Sequence, residues 1–136
     1  MKTLPTEAKG RGGAPPLRLM LVIGGLQAGG AERQLSEMAN YWARRGAQVT
    51  LATWSAREVA DFYPLDHAVV RVWLDAPATH SWAFARVTVS LRGVLRLRRL
   101  LRSARPNALV SFIDISNVCS ILAATGLPVR VVVAER

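Results

Sequence analysis

The chain of 136 residues is poor in the residues that build disulfides and metal sites. Its one cysteine, Cys119, excludes an intrachain disulfide, and the apolar neighbours predict a buried thiol rather than a nucleophile. One cysteine and two histidines far apart in the sequence cannot supply the ligands of a zinc centre. We therefore expect a reducing compartment and no metal site.

Long hydrophobic runs are also missing. The apolar stretch at residues 19–23 is too short for the core of a signal peptide and runs directly into glycines. A second apolar stretch, at residues 109–134, is interrupted by Asp114 and Arg130, which favours buried strands around a short helix over a membrane span. We therefore expect neither a signal peptide nor a transmembrane helix.

Acidic residues are scarce, with 9 against 18 lysines and arginines, and the net charge is +9. This charge favours anionic partners, namely phosphorylated ligands, nucleic acid or an anionic membrane surface. Hydrophobic residues make up 51% of the chain, which argues against disorder outside the ends. The composition predicts a flexible basic tail over residues 1–16 and one domain over residues 17–136.

Glycines are concentrated directly after the first apolar run. Gly24, Gly25, Gly29 and Gly30 separate this run from a helical pattern, so the sequence predicts a strand, a glycine turn and a helix N-terminus. Backbone N–H groups and the helix dipole favour an anion there, and phosphates bind at this turn in doubly wound sheets. The spacing is not that of a P-loop, because Ala31 follows Gly30 where a lysine would be required. A tight turn without a ligand is the alternative.

Strand and helix patterns alternate along the chain. Strands are predicted at residues 18–23, 48–54, 69–74, 108–112 and 129–134, and helices at 30–45, 81–104 and 116–125, with a break near Gly93 and a loop or short helix at 57–66. The first, fourth and fifth strands are continuous apolar runs, as buried parallel strands are. We therefore predict a three-layer α/β/α sandwich around a parallel, Rossmann-like sheet.

Most polar residues that could carry chemistry follow the predicted strands. The carboxyl ends of parallel strands meet at one edge of the sheet, and ligands bind there. This edge is predicted to hold residues 24–30, 54–55, 76–80, 113–117 and 135–136. Trp54 and Ser55 stand where a dinucleotide-binding fold carries an acidic residue for the ribose, which argues against NAD.

The segment Gly29-Gly30-Ala31-Glu32-Arg33 resembles the glycine-loop signature of the amino-terminal domain of family 4 glycosyltransferases, which are retaining sugar transferases of the GT-B fold. Residues 44–51 are also similar to that family, with an alanine in place of its usual histidine. Residues 111–117 and 129–136 are similar to members that extend polyprenyl-linked or lipopolysaccharide sugars, with an alanine where those carry a serine. The resemblance covers about residues 17–136.

The resemblance implies a two-domain enzyme that transfers a sugar from a UDP- or GDP-linked donor to a glycan or lipid-linked acceptor in cell-envelope polysaccharide or glycoconjugate synthesis. The amino-terminal domain would contribute the acceptor side, with the nucleotide sugar as co-substrate and no further cofactor. The donor domain of the family carries a Glu-x7-Glu pair, and no two glutamates of this chain have that spacing. We therefore expect a fragment that lacks the donor domain and is inactive alone.

Within the glycine loop, the resemblance implies that Gly29, Gly30 and Ala31 bring the backbone close to the donor diphosphate. Glu32 would contact substrate or simply complement the helix dipole. Arg33 opposes that dipole, so it would meet a phosphate or remain a solvated surface residue. The sequence alone leaves both alternatives open for Glu32 and for Arg33, and it also leaves open a glycine turn without a ligand.

Further candidates follow the later strands. Asn117 would bind a sugar or cap its helix. Asp114 and His80 are weaker candidates for a general base or proton carrier. Glu135 and Arg136 would lie at the same edge of the sheet and complete the set of predicted binding residues.

The long second helix is rich in arginine, with Arg96, Arg98, Arg99 and Arg102 and no acid between them. This pattern is typical of an interfacial basic helix, or of a solvated face in an arginine-rich protein. The first reading suits a cytoplasmic enzyme that is peripheral on the inner face of the membrane. Two other functions stay open, a non-catalytic phosphate- or nucleotide-binding module and a basic membrane-surface domain. No pattern for nucleic-acid binding is present.

Overall fold

A computed structural model describes residues 13–55, 57–74 and 84–135, without the side chains of residues 84–90 and 114. The elements are, in chain order, β1 (Arg18–Ile23), α1 (Gly30–Arg44), β2 (Gln48–Thr53), β3 (Val70–Trp73), α2 (Phe84–Ala104), β4 (Ala108–Phe112), α3 (Asp114–Ala124) and β5 (Arg130–Ala134). Each predicted strand and helix is present to within a few residues. Of the tail predicted over residues 1–16, residues 1–12 lie outside the described residues.

The five strands form one parallel sheet in the order β3-β2-β1-β4-β5. Strand β1 is central, with Leu19 opposite Val49 of β2 on one side and Ala108 of β4 on the other. Helices cover both faces of this sheet. The predicted three-layer sandwich with a Rossmann-like parallel sheet is therefore confirmed.

Alternate residues of β1 supply two separate cores, one on each face of the sheet. The first core contains Leu19, Leu21 and Ile23 of β1 together with Leu35 and Ala39 of α1. The second contains Met20 and Val22 of β1 together with Leu97 and Leu101 of α2 and Ala123 of α3. Because successive side chains of a strand point to opposite faces, a strand covered on both faces reads as an unbroken apolar run.

The connection between β2 and β3 is a loop that is fixed to α1. The side chain of Asn40 donates to Pro64 O at 3.0 Å and accepts from Asp66 N at 2.7 Å. Asp66 also accepts from Ala68 N at 3.0 Å, and this bond is the main cause of the lowered pKa of its carboxyl group. These polar contacts hold residues 57–66 in place as a loop. Of the two predicted alternatives, a loop or a short helix, the loop is therefore confirmed.

Two helix predictions need correction. The break predicted near Gly93 is wrong, since α2 runs without interruption from Phe84 to Ala104. The glycine instead makes room for a ring, because a Cβ at Gly93 would lie 2.5 Å from Cζ3 of Trp54. Helix α3 begins at Asp114 rather than Ser116, because Ile113 already serves as its N-cap residue.

Strand β5 is not a buried strand, contrary to the prediction from its apolar run. It is the last strand in the sheet order, and Val131, Val132 and Val133 are between 36% and 51% exposed. Within the described residues, the helices are too short or too polar to cross a bilayer. The apolar run therefore marks an edge of the described sheet.

Candidate functional site

The sheet changes its direction of winding between β1 and β4. Helix α1, which follows β1, packs on one face, whereas α2 and α3 pack on the other. In open α/β sheets this arrangement leaves a crevice at the carboxyl ends of the two adjacent strands, and ligands bind in it. By this rule a ligand would bind between the glycine loop at residues 24–30 and the turn at residues 113–117, and we call this region the crevice.

Helix α1 begins at the glycine loop without a side-chain cap. Gly29 is the N-cap residue in an extended conformation, and no side-chain cap hydrogen bond is made within the described residues. The first amides of a helix have no acceptor within it, and here they belong to Gly30, Ala31 and Glu32. Together with the positive end of the helix dipole, these three N–H groups suit the oxygens of a phosphate.

The loop glycine before them is held by a tyrosine from the β2–β3 connection. Gly29 N donates to the Tyr63 hydroxyl at 3.2 Å, and the hydroxyl donates to Gly29 O at 2.9 Å. Phe62 N donates to Leu26 O at 2.7 Å and ties the same two loops together. The amide of Gly29 is therefore engaged. The sequence carries no signal for Tyr63, which lies 34 residues away in an irregular segment.

The two charged residues of the first turn of α1 have different surroundings. The carboxylate of Glu32 folds back over Gly29, at the positive end of the helix dipole. Arg33 pairs with Glu37 through Nε and Oε1 at 2.9 Å, and both side chains are largely exposed. Glu37 raises the pKa of Arg33, so the guanidinium stays charged. This pair gives Arg33 a partner that needs no phosphate.

The turn after β4 contains an unusual backbone. Ile113 has φ 75° and ψ 142°, a left-handed region that a β-branched side chain rarely adopts and that costs about 1–3 kcal/mol. Two bonds hold this backbone, from Ile113 N to Ala134 O at 3.3 Å and from Asn117 N to Ile113 O at 2.9 Å. Helix α3 likewise has no side-chain cap. Strain of this kind could not be predicted from the sequence.

Asn117 lies in the first turns of α3 and is buried, with 5% of its surface exposed. Its side-chain amide donates to Ala134 O at 3.1 Å, and its Oδ1 is buried without a partner in the described part of the chain. The capping role considered for Asn117 is wrong, since the helix begins three residues earlier. A buried acceptor without a donor costs about 1–3 kcal/mol, so this Oδ1 is unfavourable for the fold by itself.

The remaining candidates are only partly described. Asp114 is the first residue of α3, but its side chain lies outside the described residues, as do His80 and Arg136. Glu135 is exposed and follows β5 at the same edge of the sheet. Ser55 N donates to Gly24 O at 2.8 Å, which places the end of β2 beside the glycine loop.

The four arginines of α2 do not share one role. Arg98 Nη1 donates to Ala123 O at 3.0 Å and to Thr125 O at 2.7 Å, so it caps the end of α3. Arg96 Nη1 donates to Leu74 O at 2.8 Å. Arg99 and Arg102 are exposed. The predicted basic face therefore includes two guanidinium groups that bond to the protein's own backbone.

The fold and the crevice define the chain as a Rossmann-like α/β domain whose two central strands lead into uncapped helix N-termini. The chain belongs to the glycosyl transferase 4-like domain family, whose profile matches residues 29–136. The resemblance carried by the glycine loop is therefore confirmed at the level of the family.

A curated relative is the GalNAc-alpha-(1->4)-GalNAc-alpha-(1->3)-diNAcBac-PP-undecaprenol alpha-1,4-N-acetyl-D-galactosaminyltransferase of Campylobacter jejuni, 25% identical over 119 residues. The match covers 88% of this chain and 32% of the relative, so the chain spans about a third of that protein's length.

Two solved structures show the same fold. Both are of the C-terminal domain of the PF1911 hydrogenase from Pyrococcus furiosus. One has a TM-score of 0.67 at 17% identity, covering 98% of this chain and 100% of that one. The other has a TM-score of 0.66 at 16% identity, covering 86% and 90%. At such low identity the likeness concerns the fold alone.

Proposed function

We propose that this domain is the acceptor-side half of a retaining glycosyltransferase that moves a sugar from a UDP- or GDP-linked donor to a glycan or lipid-linked acceptor. The observation that carries the proposal is the pair of uncapped helix N-termini at the adjacent ends of β1 and β4, in a member of this family. A nucleotide sugar carries a diphosphate, and helix N-termini at a switch point are suited to bind one.

In this proposal the backbone of the first turn of α1 stabilises the diphosphate. The amides of Gly30, Ala31 and Glu32 donate to its oxygens as negative charge develops on the leaving nucleotide. Gly29 acts through its fixed position, because Tyr63 already engages its amide. Arg33 would add long-range positive charge while paired with Glu37.

The acceptor would lie near the turn after β4. The unpartnered Oδ1 of Asn117 would accept a hydrogen bond from a sugar hydroxyl. Asp114 and His80 remain the candidates for receiving the proton of the attacking hydroxyl, and Glu135 and Arg136 for contacts at the neighbouring strand end. Retaining transfer does not strictly require a general base, so the roles proposed for Asp114 and His80 are secondary.

The acceptor class is inferred from the Campylobacter jejuni relative, whose name specifies an undecaprenyl-diphosphate-linked glycan. We propose an acceptor of the same kind, a glycan on a lipid diphosphate. Such an acceptor lies at a membrane surface, and the exposed Arg99 and Arg102 would then contact anionic headgroups on the cytoplasmic side. Arg96 and Arg98 would contribute charge while bonded to backbone carbonyls.

The donor half of the enzyme would be a second domain. The chain spans about a third of its relative and lacks a Glu-x7-Glu pair, so we propose that further polypeptide supplies most donor contacts and that this piece does not turn over alone. Reading the DNA beyond the codon for Arg136 tests this. An open frame encoding a second α/β domain with that pair is expected, and a stop codon with no such frame nearby would contradict it.

Binding at the glycine loop is tested by titrating the ¹⁵N-labelled chain with UDP, GDP and inorganic pyrophosphate. The amide signals of Gly30, Ala31 and Glu32 are expected to shift, with dissociation constants around 1 mM for half a site. Absence of shifts at these three amides up to about 10 mM of all three ligands would contradict the assignment. Shifts without transfer by the longer polypeptide would instead favour a nucleotide-binding module.

Gly30→Ala is the matched variant for this titration. A Cβ at Gly30 would meet no atom within 4 Å, so the fold accepts it. Alanine also favours the helix by up to about 1 kcal/mol relative to glycine. The methyl group would occupy the space in which a diphosphate approaches the backbone, so binding is expected to weaken while thermal stability is kept.

A further inference from the structure

The end of the sheet opposite the crevice contains a second cavity, of about 960 Å³. Ten residues line it, at the starts of β1, β4 and β5 and at the end of α2: Arg18, Leu101, Arg102, Arg105, Pro106, Asn107, Leu127, Pro128, Val129 and Arg130. Four of these are arginines and none is acidic. The volume is within the range of small-ligand pockets, and the other lining residues are mostly apolar.

Two of the four arginines of the cavity, Arg18 and Arg130, are joined through their backbone to Asn107. Its Oδ1 accepts from Arg18 N at 2.8 Å, and its own N donates to Arg18 O at 2.8 Å. Its carbonyl accepts from Arg130 N at 3.3 Å. These bonds fix the starts of β1 and β5 on either side of β4. Like charges that line one cavity repel one another, and an anion between them would relieve that repulsion.

One donor nitrogen of these guanidinium groups, in Arg18, has no hydrogen-bond acceptor among the described residues. Arg18 Nε is buried, and nothing in the described part of the chain accepts its hydrogen bond. A buried charged donor without an acceptor is unfavourable by itself. Arg102 lies at the negative end of the dipole of α2, where a positive charge is favourable. Arg18 begins a strand, so no helix dipole explains its charge.

Arg105 occupies a backbone position that favours glycine. It follows the end of α2 with φ 46°, and its N donates to Leu101 O at 3.0 Å. The corresponding position after α1 is Gly46, with φ 87°. Glycine is the usual residue in this left-handed conformation, so the arginine has a backbone cost that its position at the negative end of α2 partly offsets.

We propose that this cavity binds a phosphate ester that carries an apolar portion. The arginines provide the charge-assisted donors for the phosphate, and Leu101, Leu127 and Val129 contact the apolar part. The site lies at the amino ends of the strands and is separate from the diphosphate crevice. It therefore does not depend on the proposed transferase activity. A phospholipid headgroup and a soluble phosphorylated metabolite share this chemistry.

Titration of the ¹⁵N-labelled chain with phenyl phosphate and with dihexanoyl phosphatidic acid tests the proposal, with benzyl alcohol as the probe that lacks phosphate. The backbone amides of Arg105, Asn107 and Arg130 are expected to shift with both phosphate esters and not with the alcohol. No shift at these amides, or equal shifts with the alcohol, would overturn the proposal.

Vesicles containing phosphatidic acid distinguish the two sources. If Arg105→Gly weakens both co-sedimentation with these vesicles and phenyl phosphate binding, the ligand is a lipid headgroup. Phenyl phosphate binding without co-sedimentation identifies a soluble phosphate ester. Either outcome supports a phosphate site, provided that the amides lining the cavity shift with phenyl phosphate.

Arg105→Gly is the decisive variant. It removes one guanidinium and supplies the residue that the backbone prefers, so phosphate affinity is expected to fall about tenfold while the melting temperature does not fall. Arg92→Ala is an exposed change on α2 about 15 Å along the helix axis from Arg102, and it removes the same charge without touching the cavity. Equal weakening by both variants would show a general charge effect and overturn the proposal.

Discussion

A single contact explains why a glycine lies in the middle of α2. Gly93 faces the half-buried ring of Trp54, and an added Cβ would lie 2.5 Å from Cζ3 and 3.0 Å from Cε3. The sequence pattern suggested a helix break at this glycine because glycine is a poor helix former. The helix is continuous because tertiary packing, rather than helix propensity, selects the residue.

Gly93→Ala is therefore expected to destabilise the fold. The gain in helix propensity is about 1 kcal/mol, whereas overpacking against a ring costs about 1–3 kcal/mol, so we expect a net loss of up to about 2 kcal/mol in urea unfolding. In a Trp54→Leu background the same substitution should become neutral or stabilising. A loss of the same size in both backgrounds would show that the ring is not the cause.

The thiol of Cys119 is expected to stay protonated at neutral pH. Burial raises its pKa, so the folded state holds the proton more tightly than the unfolded state does. The resulting stability is present below the unfolded pKa of about 8.5 and is lost as pH rises through the folded pKa. Unfolding free energies measured across this range should fall less steeply for Cys119→Ala. Equal slopes, or rapid labelling of the folded thiol by a disulfide reagent at pH 7, would contradict this.

The strands and helices could be predicted from the sequence, but the contacts and turns that connect them could not. The apolar period of α1 and the unbroken run of β1 identify both elements directly. The clamp of Tyr63 on Gly29 and the left-handed Ile113 depend on contacts between segments far apart in the chain. No local pattern encodes such contacts, so the sequence placed the candidate residues at one edge of the sheet but did not predict the geometry of these contacts.

Tyr63→Phe should loosen the glycine loop. The change removes the two hydrogen bonds to Gly29 but keeps the edge-to-face contact with Phe62. We expect a stability loss of about 1 kcal/mol and faster hydrogen exchange at the amide of Gly29. Tyr41→Phe is the matched control, because the ring of Tyr41 is half exposed and packs on Trp42. Similar exchange at Gly29 in both variants would argue against the clamp.

Arg98→Met should weaken the packing of α2 on α3. It removes the bonds to the carbonyls of Ala123 and Thr125 at the end of α3 while keeping an apolar stem. A loss of about 1–2 kcal/mol is expected in urea unfolding. The exposed neighbour Arg99→Met should change stability by less than about 0.5 kcal/mol. Equal effects would indicate that Arg98 acts only through its charge.

At the scale of the whole molecule, parallel topology gathers the glycine loop, the β4–α3 turn and the end of β5 at one edge of the sheet. The sequence predicted this gathering because strand direction alone decides which residues share an edge. It did not predict that β5 is an exposed edge strand, since an apolar run looks the same at the centre and at the edge of a sheet. It also gave no sign of the basic cavity at the opposite end.

In the proposed function, the first turn of α1 holds the donor diphosphate during sugar transfer. The most direct measurement is kcat/KM for transfer from nucleotide sugars to a polyprenyl-diphosphate-linked glycan. It is made with the polypeptide as the cell produces it, wild type beside Gly30→Ala. We predict transfer by the wild type, and a loss of at least about tenfold in the variant with unchanged thermal stability. Equal kcat/KM in the two proteins, or no transfer by the wild type from any UDP- or GDP-linked sugar, would contradict the account.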